Sequence, residues 1–437
     1  MARYLLAASP IPGHALPMLG IGAELVRRGH DVRLLTGAEF GALAVARGMR
    51  AVTLPGGVAA SGSPDTRPGL VQRWRTGRAE LLSVFVAPLV AQYAALRTEL
   101  EREAAAAVLV DLAFTGALPL LLAGRPRPAV LVCGVGPLTV SSRDTAPFGA
   151  GWRPRAGARY SRMTWFTHRV LLREVRIRLD AALRAAGVAA APVFLTDWPL
   201  LADRLLQLTV PAFEYRRRDL PDSVVFTGPL PVDDGMADWE PVPVRERRIR
   251  VHVTQGTWNN GDPGQLIVPT LAGLADRGDL EVIATTGRAQ RLPIGTPGNA
   301  RVVDFCSYAG LLPTVDVMVT NGGYGGVHAA LAHGVPLVVA GGCADKPEVA
   351  ARVAHFGVGV DLRTARPTGR QVAAAVDRVL TTPSYRQAAA RVAGAIAATR
   401  PYDAIEQTLA EYAGLGPRPV TAVSHDDSPF RSTEEFL

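Results

Sequence analysis

Lysine is almost absent from this 437-residue chain, because Lys346 is the only one and arginine carries nearly all of the positive charge. Asparagine is almost as rare and occurs only at positions 259, 260, 299 and 321. The formal net charge is +8, but the arginines are spread along the chain and no stacking-aromatic pattern accompanies them. The sequence therefore predicts no nucleic-acid partner. The lysine and three of the asparagines fall in two glycine-containing loops, which favours a chemical role there.

Cysteine is scarce as well. Cys133, Cys306 and Cys343 show neither a metal-ligand nor a disulfide spacing, which fits a reduced cytosol. The first apolar segment is too short for a signal sequence, and no apolar run approaches the length of a membrane span. We therefore expect a cytoplasmic protein without stable membrane insertion, either a monomer or a homodimer. No P-loop, dinucleotide fingerprint or metal-ligand cluster occurs, so we expect neither a cofactor nor a metal.

Two series of alternating apolar strands and helical segments are present, one beginning at Tyr4 and the other at Ile249. Such alternation predicts parallel sheets covered by helices on both faces. The predicted fold class is α/β, with two doubly wound Rossmann-like domains that face each other across a cleft. The predicted domains are residues 1–228 and 248–413, joined by a linker at 229–247 and followed by a tail at 414–437.

A histidine and an aspartate follow strands of the first series. His14 lies in a predicted loop, residues 9–17, between the first strand and a helix from Met18 to Arg28, and Asp111 ends the fourth strand. Carboxyl ends of parallel strands share one edge of a sheet, so we expect the two side chains to meet. A carboxylate on one ring nitrogen fixes the tautomer and leaves the other nitrogen as a base. The alternative is a structural histidine and a helix-capping aspartate.

Glycine-rich turns follow strands of the second series. Gly322, Gly323, Gly325 and Gly326 come between a strand and a helix, where free N–H groups suit a phosphate. Thr257 ends a turn that can meet the phosphate from the opposite side. The alternative is an ordinary strand-to-helix turn at both places.

Two charged residues begin the helix after the next strand. Asp345 can accept hydrogen bonds from sugar hydroxyls, and Lys346 can donate to them or to a phosphate. Both also suit the start of a helix, where Asp345 would cap it and Glu348 would be a favourable first-turn charge.

Together these motifs resemble the family 1 glycosyltransferases of the GT-B fold, in particular the actinobacterial branch that acts on natural products. The resemblance spans nearly the whole chain. It is carried by Gly-His-Ala-Leu-Pro around His14, by Asp111, by Thr-Gln-Gly-Thr ending at Thr257, by Asn-Gly-Gly from Asn321, and by Ala-Asp-Lys-Pro around Asp345. The last two motifs are the most specific.

The resemblance implies an inverting, metal-independent sugar transfer from a UDP- or TDP-linked donor to a hydroxyl of a small apolar acceptor. It assigns the acceptor to the first domain and the donor to the second, with His14 as the base and Asp111 as its support. The implied diphosphate site comprises Thr257, Asn321 and the four turn glycines. Asp345 and Lys346 would bind the donor sugar, and Cys306 and Tyr308 the nucleobase.

Two positions depart from the family pattern, which usually has histidine in place of Asn321 and glutamine in place of Lys346. Lys346 could supply the positive charge that Asn321 lacks. Two other functions remain open at the level of sequence. One is a UDP-sugar 2-epimerase of the same fold, and the other is a non-catalytic accessory protein that binds nucleotide sugars.

Overall fold

The chain forms two parallel β-sheets flanked by helices. The structure is a computed structural model and describes residues 1–55, 70–124, 126–231, 248–256, 260–287 and 292–414. The first sheet has seven strands in the order β3-β2-β1-β4-β5-β6-β7, and the second has six in the order β10-β9-β8-β11-β12-β13. The predicted fold class, two doubly wound α/β units, is confirmed.

The first sheet contains short, buried strands that alternate with helices. Its strands are β1 Arg3–Ala7, β2 Asp31–Thr36, β3 Arg50–Thr53, β4 Ala107–Asp111, β5 Ala129–Gly134, β6 Arg204–Gln207 and β7 Val224–Phe226. Its helices are α1 Pro12–Arg27, α2 Gly41–Ala46, α3 Leu70–Glu80, α4 Leu89–Arg102, α5 Ala117–Leu122, α6 Ser161–Phe166 and α7 Arg173–Ala185. A π-helical stretch, Leu81–Val86, joins α3 to the turn before α4.

The second sheet repeats the pattern. Its strands are β8 Ile249–Thr254, β9 Leu280–Thr285, β10 Ala300–Val303, β11 Val317–Thr320, β12 Leu337–Val339 and β13 Gly359–Asp361. The later helices are α8 Ile267–Leu274, α9 Tyr308–Leu311, α10 Tyr324–Ala332, α11 Lys346–His355, α12 Gly369–Thr381, α13 Pro383–Ala397 and α14 Pro401–Ala413. Strand β13 is only three residues long.

Each sheet has one point at which the order of its strands reverses. In the first sheet, β1 pairs with both β2 and β4, and in the second, β8 pairs with both β9 and β11. A crevice opens beyond the carboxyl ends of the two central strands at such a point, and ligands bind there. The molecule therefore has two equivalent crevices, and the segments after β1, β4, β8 and β11 line them.

The predicted start of α1 is wrong. The helix begins at Pro12 rather than at Met18, so His14 lies in its first turn and not in a loop. Pro12 fits the first helical position, where its fixed φ is suitable and its missing N–H would have no partner. Pro17 is accommodated inside the helix. The sequence signal was misleading because Pro17 resembles a helix boundary.

The last helix crosses back to the first sheet. Ile405, Leu409 and Tyr412 of α14 pack into the core beside β1 and α1, and Arg28 donates hydrogen bonds to Asp403 and to Glu406. One helix of the predicted second domain thus packs on the first sheet. The domain boundaries otherwise stay predictions. Nearly all of the tail and most of the linker lie outside the described residues.

Among the described residues, one helical stretch, Trp74–Arg102, is long and apolar enough to cross a membrane by length and composition, with a mean hydropathy of 1.6 in its most apolar window. The expectation that no apolar run approaches this length was therefore too strict. Leu89 and Leu96 of this stretch pack in the core of the first sheet, and Leu81 and Phe85 line a cavity. Only 22% of that window is buried, so these contacts cover part of its apolar surface.

Candidate active site

His14 and Asp111 meet at the crevice of the first sheet. Because β1 and β4 are neighbours, the first turn of α1 lies beside the end of β4, and His14 Nδ1–H donates to Asp111 Oδ1 at 2.6 Å. Asp111 is fully buried and also accepts the N–H groups of Ser9 and Ala113. The carboxylate is therefore fixed in place. Its bond to Nδ1 leaves His14 Nε2 as the nitrogen that can accept a proton.

The electrostatic surroundings of His14 favour its protonated form. Burial disfavours the charged imidazole, but the charge of Asp111, the hydrogen bond to it and the charge of Asp345 outweigh burial and raise the pKa of His14. A histidine with a raised pKa is a stronger base than a free imidazole. It can act as a base only while it is neutral, which requires a pH above that pKa.

The glycine-rich turn occupies the crevice of the second sheet. Gly322 has φ +88°, and a Cβ there would lie 2.9 Å from Val339 Cγ1, so the position requires glycine. Gly323 is the N-cap residue of α10 and has no side chain that could cap the helix. Gly325 and Gly326 follow in the first turn, and Gly325 lines the cavity. The turn therefore presents backbone N–H groups at a helix start.

Asn321 sits between the two strand ends of this crevice. Its side-chain amide donates to the carbonyl of Gln255, and this bond ties the β11 turn to the turn after β8. A side-chain amide has a second N–H proton besides the one in this bond. Gly256 completes the described part of the β8 turn, and the predicted Thr257 lies outside the described residues.

Asp345 and Lys346 lie at the start of α11 and face the first sheet across the cleft. Both line the same cavity as His14. Burial raises the pKa of the Asp345 carboxyl, and the positive charges of Lys346 and His14 partly offset this. Ala344, the preceding residue, has φ +53°, a left-handed conformation in which non-glycine residues are uncommon. The predicted sugar-binding residues, Asp345 and Lys346, and the predicted base, His14, therefore line one cavity.

A cavity of about 360 Å³ joins the two crevices. The first-sheet side supplies mainly apolar and aromatic walls, and the second-sheet side supplies glycines and the charged pair. Side chains that line it include Trp74, Leu81, Phe85, Phe148 and Trp152. A small number of polar groups on apolar walls is typical of sites for small organic ligands.

Cys306 and Tyr308 lie beside the second crevice, away from these walls. Cys306 is buried, and the Tyr308 ring packs edge-on against His252 of β8 at 5.6 Å between centroids. Burial raises the pKa of the Tyr308 hydroxyl. The neighbouring Phe305 is half exposed, so it offers a ring face to a ligand. The predicted role of this segment at a nucleobase stays a prediction.

Comparison with known proteins identifies the family. The chain is 37% identical to 4'-demethylrebeccamycin synthase of Lentzea aerocolonigenes, over 90% of this chain and 94% of that one. It is 32% identical to UDP-glucosyltransferase A1 of Starmerella bombicola, over 94% of this chain and 92% of that one. A family model for the C-terminal domain of erythromycin biosynthesis protein CIII-like proteins matches residues 270–411.

The chain belongs to the family 1 glycosyltransferases. The fold agrees, because the spinosyn rhamnosyltransferase SpnG, solved in complex with thymidine diphosphate, superposes with a TM-score of 0.65. That superposition covers 94% of this chain and all of SpnG at 19% identity. The predicted family, the GT-B fold and the enzyme class, a glycosyltransferase, are confirmed. The individual roles of the site residues stay predictions.

One cavity residue of this glycosyltransferase was missing from the predicted site. Glu80, at the end of α3, lines the cavity and accepts a hydrogen bond from the backbone N–H of Ala344. Burial and the charge of Asp345 raise the pKa of Glu80 to about 7, against the effects of that bond and of Lys346. No sequence signal indicates this residue, because its partner belongs to the second sheet.

Among the residues that the structure describes, no group of three or more histidine, cysteine or acidic side chains could hold an ion.

Proposed function

We propose that this glycosyltransferase moves a sugar from a UDP- or TDP-linked donor to a hydroxyl of a small apolar natural product, with inversion and without a metal. The observation that carries the proposal is the His14–Asp111 pair at 2.6 Å, placed in the cavity that Asp345 and the α10 turn also line. The named activities of the relatives support the donor and acceptor classes.

In this mechanism His14 acts as a general base. Its Nε2 removes the proton from the acceptor hydroxyl as that oxygen attacks the anomeric carbon of the donor sugar. The bond between the anomeric carbon and the diphosphate oxygen breaks on the opposite face, which inverts the configuration. Asp111 stabilises the imidazolium that forms, because its carboxylate accepts the hydrogen bond from His14 Nδ1–H.

The leaving diphosphate is stabilised by groups of the second sheet. Negative charge develops on the diphosphate as it leaves. Three kinds of donor can bind this charge: the N–H groups at the start of α10, the second amide proton of Asn321 and the ammonium of Lys346. Such fixed donors do the work that a metal ion does in other enzymes. Asp345 accepts hydrogen bonds from the sugar hydroxyls. The aromatic walls contributed by Trp74, Phe85, Phe148 and Trp152 favour an apolar, ring-bearing acceptor.

The test is the His14→Ala variant. We expect the variant to bind UDP or TDP as the wild type does, measured as a ligand-induced rise in melting temperature, and to lose transfer by roughly 10²-fold or more. His333→Ala is the matched control, since His333 is exposed and lies outside the cavity walls. Undiminished transfer by His14→Ala would refute the base assignment.

A second measurement addresses the epimerase alternative. NMR spectra of a UDP-sugar incubated with the enzyme alone would show a changed sugar if the enzyme were an epimerase. We expect an unchanged sugar without an acceptor and a glycoside product with one. Activity that survives prior treatment with a chelator is expected if no metal takes part.

A further inference from the structure

The acceptor side of the cavity is formed by a segment without helix or strand. Residues 135–160 follow β5 and contribute Phe148 and Trp152 to the walls. Backbone N–H groups of a segment without regular structure need partners, and several partners here are carboxylates from elsewhere in the chain. Leu138 N–H donates to Glu214, Ser141 N–H to Asp197 and Arg143 N–H to Asp219, all on the first-sheet side.

The remaining carboxylate comes from the second-sheet side. Glu348 Oε1, in the first turn of α11, accepts the N–H of Gly149 at 2.9 Å and that of Gly151 at 2.8 Å. These two glycines lie between the cavity residues Phe148 and Trp152. The acceptor wall is therefore attached directly to the helix that begins with the predicted sugar-binding residues.

Glu348 is itself held by a buried arginine. Arg352 Nη1 donates to Glu348 Oε2 at 3.1 Å, and its Nη2 donates to Glu214 Oε1 at 2.7 Å. All three side chains are almost inaccessible to solvent, and the Arg352 guanidinium also lies over the Tyr215 ring at 4.4 Å. One arginine thus joins the carboxylates that hold the two ends of residues 138–151.

The contact between the loop and α11 is tight. Gly151 has φ +60°, and a Cβ there would lie 3.0 Å from Pro347 Cβ and 3.1 Å from the Pro347 carbonyl oxygen. Pro347 lies between Asp345 and Glu348 in the chain. A shift of residues 344–346, here called the donor-sugar turn, therefore also shifts the Glu348 carboxylate that accepts the two loop N–H groups. The position of the acceptor wall and the position of the donor-sugar turn therefore depend on each other.

We infer that Glu348 is a positioning residue that fixes the acceptor wall of the cavity to the donor-sugar turn. The inference rests on the proposed function for its consequence in catalysis. With the bonds to Gly149 and Gly151 in place, Phe148 and Trp152 form one defined surface for the acceptor. Without them the surface is free to move, and acceptor binding weakens while donor binding persists.

The experiment compares Glu348→Ala and Glu348→Gln with the wild-type enzyme. The alanine variant removes both loop bonds, and we expect the KM for the acceptor to rise about tenfold or more, with the donor KM within about twofold of wild type. Glutamine keeps an oxygen that accepts the loop N–H groups, and it loses the charge beside Arg352 and the second oxygen, which accepts from Arg352 Nη1. We therefore expect it to recover most of the acceptor affinity.

Hydrogen exchange supplies a readout that does not depend on activity. We expect faster amide exchange in the peptide that spans residues 145–155 of Glu348→Ala, and wild-type exchange there in the control Glu281→Gln. That control alters a buried ion pair of the same kind, Glu281 with Arg250 at 2.8 Å, which lies within the second sheet and outside the cavity walls.

The outcomes separate the two proposals. Unchanged exchange and unchanged acceptor KM in Glu348→Ala would overturn the inference, as would an equal rise of both KM values accompanied by a lower melting temperature. Faster loop exchange in an enzyme whose wild type transfers no sugar to any acceptor would support the attachment of the loop and refute the proposed function.

Discussion

The two crevices of this enzyme have the same topology and opposite chemistry. Each lies where the strand order reverses, at β1 and β4 in the first sheet and at β8 and β11 in the second. The first crevice holds titratable side chains, His14 and Asp111, with fixed partners. The second holds glycines and exposes backbone N–H groups. A proton transfer needs one well-placed base, whereas a diphosphate needs several donors spread over its oxygens.

The comparison predicts opposite sensitivities to mutation. In the first crevice, removal of a side-chain charge should abolish chemistry and leave binding intact. In the second, the addition of a side chain should harm binding and stability, because it takes the space of the ligand or of the neighbouring chain. Substitutions on each side can therefore confirm or break the division of labour.

The largest effect is expected from Asp111→Asn. The amide cannot stabilise an imidazolium as the carboxylate does, so we expect kcat to fall by about 10²-fold or more, with nucleotide binding retained. Because Asp111 raises the pKa of His14, the acidic limb of the pH–rate profile should also move to lower pH in the variant. Single-turnover rates across a pH series measure both effects.

The matched control for this change lies outside the dyad. Asp203→Asn alters an aspartate that comes just before β6, whose side chain is 6% exposed and pairs with Arg127 away from the cavity walls. We expect the control to keep the wild-type pH profile. A kcat for Asp111→Asn within about twofold of wild type would mean that His14 works without its carboxylate partner.

The next effect is expected from Gly322→Ala in the second crevice. The positive φ and the contact with Val339 should lower the free energy of unfolding by about 1–3 kcal/mol and displace the start of α10. We expect the donor KM to rise more than kcat falls. Chemical denaturation and steady-state kinetics with varied donor measure the two changes.

Gly325→Ala is the control for stability at the same turn. No atom lies within 4 Å of its added Cβ, and the residue is inside a helix, where alanine is favoured over glycine. The control should therefore unfold at the wild-type denaturant concentration or above it. Equal stability of Gly322→Ala and Gly325→Ala would show that the strained turn is not a requirement of the fold.

Much of this division could be predicted from the sequence, because it depends on local patterns. Apolar runs indicate strands, the residues after them reach a sheet edge, and this reasoning placed His14 beside Asp111 and grouped the turn glycines. The start of α1 was wrong, because Pro17 signals a boundary locally and the packing of the helix overrides that signal.

The contacts that cross the cleft could not be predicted. Glu348 was interpreted only as a favourable charge in the first turn of a helix, although its carboxylate holds Gly149 and Gly151. Glu80 had no signal at all. Both side chains act on backbone groups of the other sheet, and a backbone N–H leaves no mark in the sequence. Such contacts become visible only when the two halves are seen together.

The smallest expected effect concerns Glu80, which links the crevices by accepting the Ala344 N–H. Its pKa of about 7 lies above the usual value of a free carboxyl, so the native state favours the neutral form. Its contribution to stability is then fully present below the pKa of the unfolded chain and is lost as pH rises through about 7.

Glutamine stays neutral at every pH and keeps an oxygen for the Ala344 bond. The difference in melting temperature between Glu80→Gln and wild type should therefore grow in favour of the variant from pH 5 to pH 8. Glu101→Gln, an exposed change on α4, should show no such trend. If both variants follow the wild type across this range, Glu80 is not a buried acid, and the two crevices are less closely joined at Ala344 than the hydrogen bond indicates.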